Sequence, residues 1–73
     1  GIRALAAARV KNAVRELRLH LGWTQQELGA RVGTSRQAII AIENGRFDPS
    51  LPLAIKLSRV LKKSIEEIFF FDD

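Results

Sequence analysis

The sequence predicts an all-α fold, a compact bundle of five short helices in one domain spanning residues 1–73, and three observations predict it. Apolar residues recur every three or four positions along nearly the whole chain, with no period-2 run, which is the spacing of a single helix face. Four of the five apolar segments are preceded by Ser or Thr, twice with a glutamate three residues later, the signature of a helix N-terminus. With 73 residues and no cysteine, the chain buries only about 60% of its unfolded surface and has neither a disulfide framework nor thiolate zinc ligands, so it can build one small core.

The first helix carries Val10, Val14, Leu17 and Leu21 on one stripe ending at Gly22. Its start is open: Asn12 can cap it, or the alanine-rich, breaker-free stretch 2–9 can extend it. The second helix opens at Thr24, which forms a capping box with Glu27, turns Leu28 and Val32 inward, and ends at Gly33, where a left-handed residue fits. Ser35 caps a third helix, Arg36–Asn44, with Ile39 and Ile42 inward. Asn44-Gly45 stops it and Asp48-Pro49 adds a turn. Ser50 caps the fourth, which holds Leu53, Ala54, Leu57, Val60 and Leu61 and tolerates Pro52 in its first turn. A second capping box, Ser64 with Glu67, begins a short fifth helix with Ile65, Ile68 and Phe69 inward.

The chain has no methionine, so Gly1 is not expected to be the native first residue. Residues 1–9 read as an arm, a helix extension, a vector-derived remnant or a trimmed start. No apolar run approaches the roughly 20 residues of a membrane span, and no signal-peptide pattern is visible. The expectation is a soluble, cytoplasmic protein.

The net charge of +4 is unevenly placed. Residues 1–46 hold eight Lys/Arg against three Glu, for +5, whereas residues 47–73 hold four against five acids, for −1. An excess confined to one part of the chain points to a polyanion partner there. Within that part, the second and third helices are joined by the three-residue turn Val32-Gly33-Thr34, with a small residue, Gly29, where they cross. This is helix-turn-helix geometry, in which the second of the two helices enters the major groove of DNA.

The stretch 24–45 (T-Q-Q-E-L-G-A-R-V-G-T-S-R-Q-A-I-I-A-I-E-N-G) resembles the Cro and phage-repressor helix-turn-helix family, the λ-repressor-like or xenobiotic-response-element family. The resemblance runs from about Val10 to Phe69, and its most specific pieces are T-Q-x-E-L, V-G-x-S-R-Q, I-E-N-G and Asp-Pro-Ser-Leu. Gly29 departs from it, since alanine is more usual there. The resemblance implies a five-helix domain with Arg36–Asn44 as the recognition helix, and the residues agree. Arg36 and Gln37 are the first side chains after the cap, and both types can grip a base edge in a fork, Arg on guanine and Gln on adenine. Ala38 and Ala41 are small enough to approach a thymine methyl. The base-reading set is Arg36, Gln37 and Ala41.

Phosphate contacts are expected from Thr24 and Gln25 at the positive end of the second helix, and from the hydroxyls of Thr34 and Ser35. By the resemblance they also come from Asn44 and Arg46. Lys11 and Arg15 are weaker candidates, better read as a solvated helix face. Glu43 would repel phosphate if exposed. The resemblance pairs it with Arg18, as a largely buried ion pair tying the first helix to the third. With that neutral pair set aside, the first 46 residues still carry +5, from seven basic and two acidic residues.

The remaining chemistry is sparse. A lone histidine, His20, cannot assemble a metal cluster or a nucleophilic relay, and no glycine-rich phosphate loop is present. Glu66-Glu67 and Asp72-Asp73 read as caps and solubilising charges. Trp23 reads as a staple at the entrance to the second helix rather than a platform for a base. Phe69-Phe70-Phe71 either closes the bundle or, at Phe70 and Phe71 within 65–73, makes a symmetric dimer contact, as a short paired strand or a helix end. No catalytic site, metal or cofactor is expected.

The expected function is a sequence-specific regulator of transcription that binds double-stranded DNA. In its finer form it is a small prokaryotic or phage repressor, acting as a homodimer on a pseudo-palindromic operator. The alternative is an antitoxin or phage accessory protein of the same fold, working through a protein partner. A non-specific nucleic-acid coat and an enzyme are less supported.

Overall fold

The computed structural model describes residues 10–71. Along the chain lie β1 (Val10–Asn12), α1 (Val14–His20), α2 (Gln25–Val32), α3 (Arg36–Glu43), α4 (Leu51–Leu61), α5 (Ile65–Ile68) and β2 (Phe69–Phe71). The core is one cluster of Val14, Leu28, Val32, Ile39, Ile42, Leu57, Leu61 and Ile68, so every helix contributes to it. Fully burying side chains of this size contributes about 1.5–3 kcal/mol each. Leu17, Trp23, Leu53, Val60 and Phe69 pack around its edge.

Local chemistry sets the helix boundaries. The Thr24 and Ser64 hydroxyls accept from the N–H groups of Glu27 and Glu67, and each glutamate accepts from the N–H of its capping partner. Both carboxyls are therefore held below the usual glutamate range, chiefly by that backbone donor. Ser35 and Ser50 cap α3 and α4 through the N–H groups of Ala38 and Leu53. Gly33 ends α2 with φ 74°, a conformation glycine adopts without strain. Gly29 is buried where α2 meets the turn. A Cβ built on it would lie 2.8 Å from the Thr34 carbonyl oxygen, so glycine here is fitted to this chain's turn.

The all-α expectation holds only approximately. β1 and β2 pair antiparallel in a two-stranded ribbon, with Val10 opposite Phe71, Lys11 opposite Phe70 and Asn12 opposite Phe69. Three-residue strands are too short to show a period-2 pattern, although a Phe run favours extended backbone. The ribbon also moves the start of the first helix. Val10 lies in β1, not on the helical stripe, and α1 begins at Val14, whose N–H donates to Asn12 Oδ1 at 3.1 Å. At the other end α1 stops at His20, so Leu21 follows the helix and is 40% exposed rather than inward. Phe69 packs on the core from β2, not from the fifth helix. The expectations for residues 1–9 and for Asp72-Asp73 lie outside the described residues. Among the described residues, no helix is long and apolar enough to cross a membrane.

Candidate nucleic-acid interface

Among the described residues, the helix pair α2–α3 forms the most extensive interhelix contact. Leu28 and Val32 of α2 and Ile39 and Ile42 of α3 are buried in the common core. With that face of α3 committed, the opposite side of its first turn presents Arg36 and Gln37, both exposed, while Ala38 and Ala41 are half-buried.

The far end of α3 is tied down. Arg18 Nε donates to Glu43 Oε2 at 2.7 Å, and Arg18 Nη2 donates to Oε1 at 3.2 Å. The third guanidinium nitrogen, Nη1, donates to the Trp23 carbonyl at 2.9 Å, and Gln25 Nε2 donates to Glu43 Oε1 at 3.1 Å. The Arg18 and Glu43 side chains are only 8% and 4% exposed. The bond to Glu43 raises the Arg18 pKa above its already high ordinary value, outweighing the opposing effect of burial. Glu43 is thus a neutralised strut and adds no open negative charge. Beside it, the Arg31 guanidinium lies 4.1 Å from the centre of the Trp23 ring, a cation–π contact that holds the tryptophan against α2.

Over this strut opens a shallow cleft of ≈ 620 Å³, lined by Arg15, Arg18, Thr24, Gln25, Gln26, Arg36, Glu43 and Asn44. Among the described residues its one carboxylate is the paired Glu43, which leaves Arg15 and Arg36 on its lining to set a positive potential. The Thr24–Glu27 box occupies two N–H groups at the head of α2. Those of Gln25 and Gln26, in the first turn, have no intrahelical acceptor and form the positive end of the helix dipole. The Thr24 hydroxyl accepts from Glu27 N–H and keeps its own proton to donate.

The sequence-derived set divides at this cleft. Thr24, Gln25, Asn44 and Arg36 line it together; Thr34, Ser35, Gln37, Ala41 and Arg46 do not. Arg36 therefore stands between the exposed tip of α3 and the other cleft-lining candidates. The Ser35 hydroxyl caps α3, and the Arg46 N–H closes the turn after α3 on the Ala41 carbonyl at 2.9 Å. Arg15 and Gln26 carry more weight here than sequence reasoning gave them. Arg15 sits one turn before Arg18 on α1, an i, i+3 relation that puts both on one side. Gln26 follows Gln25 in the first turn of α2. Phe70 and Phe71 are 42% and 53% exposed, and their strand pairs with β1 of the same chain.

A core-anchored helix followed by a glycine turn and a second helix whose polar tip is exposed beside a positive cleft defines a helix-turn-helix protein. Comparison with known proteins agrees: the helix-turn-helix family profile matches residues 14–68. An uncharacterized HTH-type transcriptional regulator of Archaeoglobus fulgidus is 44% identical over 64 residues, covering 88% of this chain and 91% of the relative. Another from Methanothermobacter thermautotrophicus is 49% identical over 65 residues, covering 88% and 94%. Among solved structures, the restriction-modification controller protein C.AhdI of Aeromonas hydrophila superimposes with a TM-score of 0.68 at 31% identity, over 74% of this chain and 78% of that one. The chain belongs to the Cro/C1-type helix-turn-helix family of DNA-binding transcriptional regulators. That family is not a class of enzymes.

Proposed function

We propose that the protein is a sequence-specific repressor that binds duplex DNA as a homodimer, in the cytoplasm of a prokaryotic cell, with residues 1–73 acting as one domain. The observation that carries this reading is the exposure of Arg36 and Gln37 at the first turn of α3 beside a cleft whose acid is neutralised. Arg36, Gln37 and Ala41 read base edges in the major groove. Thr24, Gln25, Thr34, Ser35, Asn44 and Arg46 hold the sugar-phosphate backbone, joined by Arg15 and Gln26 from the cleft. Occupying the operator excludes the transcription machinery, and no cofactor is needed.

The exposed rings of Phe70 and Phe71 supply the contact between two copies. A two-fold dimer would set the two α3 helices in successive major grooves, about 34 Å apart, on a pseudo-palindromic site. Selection of bound duplexes from a random library tests the whole reading: a symmetric motif with its half-sites one helical turn apart is expected. An enriched but asymmetric motif, with a monomer mass in sedimentation at high micromolar concentration, would remove the dimer and keep the DNA reading. No enrichment at all would remove both.

A second reading, an antitoxin-like or phage accessory role through a protein partner, is favoured by one feature. Leu51 and Ile55 are exposed one turn apart at the start of α4, and Phe47 is exposed in the segment before it, apolar groups suited to a partner surface. A small toxin-like reading frame beside the gene, whose product forms a defined complex with this chain, would establish it.

A further inference from the structure

The recognition helix is also held by the β-ribbon, through one side chain. Asn12, the last residue of β1, donates Nδ2 to the Ile42 carbonyl at 2.8 Å across 30 residues of sequence. Its Oδ1 accepts from the N–H of Val14, the first residue of α1. The adjoining Ala13 N–H donates to the Ile68 carbonyl at 2.9 Å, and Asn12 stands opposite Phe69 in the ribbon. A single half-buried amide therefore joins β1, the start of α1 and the last turn of α3. Ile42 is fully buried, and its neighbour Glu43 is the residue gripped by Arg18 and Gln25.

We propose that Asn12 is a positioning residue for base reading, so that the ribbon sets the tilt of α3 through the Asn12–Ile42 bond. This rests on the reading of α3 as the base-contacting helix. α3 has eight residues and is about 12 Å long, so a tilt of ~5° about its anchored end moves the tip by ~1 Å. Forked hydrogen bonds to a base do not survive that displacement, since productive geometry tolerates about 0.5 Å. Contacts to phosphates from Arg15 on α1 and from Thr24 and Gln25 at the head of α2 do not ride on the tip of α3 and largely survive it.

Two variants separate this tie from general stability. Asn12→Asp keeps an oxygen to accept from Val14 N–H but cannot donate to the Ile42 carbonyl. Asn12→Ser keeps a hydroxyl able to serve the same local turn, adds no charge, and is too short to reach Ile42. Affinity is measured for the duplex best selected by the wild type and for a random duplex, corrected for the folded fraction from circular dichroism. Both variants are expected to lose about tenfold in the ratio of the two affinities, with random-duplex affinity and its salt slope unchanged in the charge-neutral Asn12→Ser. An unchanged ratio, with only the melting temperature lowered, overturns the proposal. If the wild type shows no duplex preference, the base-reading assignment fails separately. The tie is then judged from the backbone amide resonances of Arg36 and Gln37, which move in Asn12→Asp if the tilt is set at Asn12 and stay in place if it is not.

Discussion

The two ends of α3 are built in opposite ways. At its first turn Arg36 and Gln37 are exposed, and a fixed polar group there is the Ser35 cap. At its last turn Ile42 is buried, its carbonyl accepts from Asn12, and Glu43 is engaged by Arg18 and Gln25 from two other elements. A helix that must offer polar side chains to a ligand cannot bury them, so its orientation has to be fixed elsewhere. Here the fixing is done with polar groups, whose directional bonds define an angle that apolar packing alone leaves looser.

The largest expected effect breaks the fixed end. Glu43→Gln leaves the Arg18 guanidinium buried without its charge partner, at a cost of roughly 3–5 kcal/mol, a large share of the 5–15 kcal/mol that holds a typical domain together. A melting temperature equal to that of the wild type would show the pair to be a surface contact and dissolve the contrast. Next comes the open end. Arg36→Ala is expected to lose about 1–3 kcal/mol of discrimination at one base position with little change in fold. Arg15→Ala, on the cleft, should instead weaken binding to all sequences alike and lower the salt slope by about 1. Binding curves across a salt series tell the two apart; equal losses on every sequence for Arg36→Ala would place that residue with the phosphate contacts.

The smallest effect concerns the capping boxes and is read by pH. Glu27 and Glu67 are held below the usual glutamate range in the folded chain, so the stability they contribute is present above that range and is lost as pH falls through their folded values. Thermal melts are expected to show falling stability below about pH 4.5, and a shallower fall in Glu27→Gln and Glu67→Gln. An identical acid limb in all three proteins would mean that the boxes do not couple to folding.

What could be read from the sequence was what is local. Thr24 with Glu27, Ser64 with Glu67 and the turn at Gly33 each announce themselves within four residues, because capping chemistry acts at that range. The apolar residues of α2, α3 and α4 likewise revealed their inward faces by spacing. Arg18 and Glu43 lie 25 residues apart, and no local rule joins them; the resemblance to a known family suggested that pairing. The Phe run was legible as a short strand paired between copies, but its pairing with residues 10–12 of the same chain was not, because strands of three residues take their stability from the rest of the fold. Asn12 was legible as a possible cap, but its second bond, 30 residues away, was not. By its sequence neighbours Arg15 reads as a solvated charge, because they do not show that it shares a cleft with the α2 N-terminus.

The antiparallel ribbon has a further consequence for how the chain can be rewired. Val10 and Phe71 are partners across it, so the two ends of the described chain lie about 5 Å apart. The described part of the fold is therefore nearly a closed ring, in which the point of opening is a matter of chain order more than of packing. A short linker from 71 to 10 would close it, and the exposed turns at Gly22 or Gly45 offer new points at which to open it.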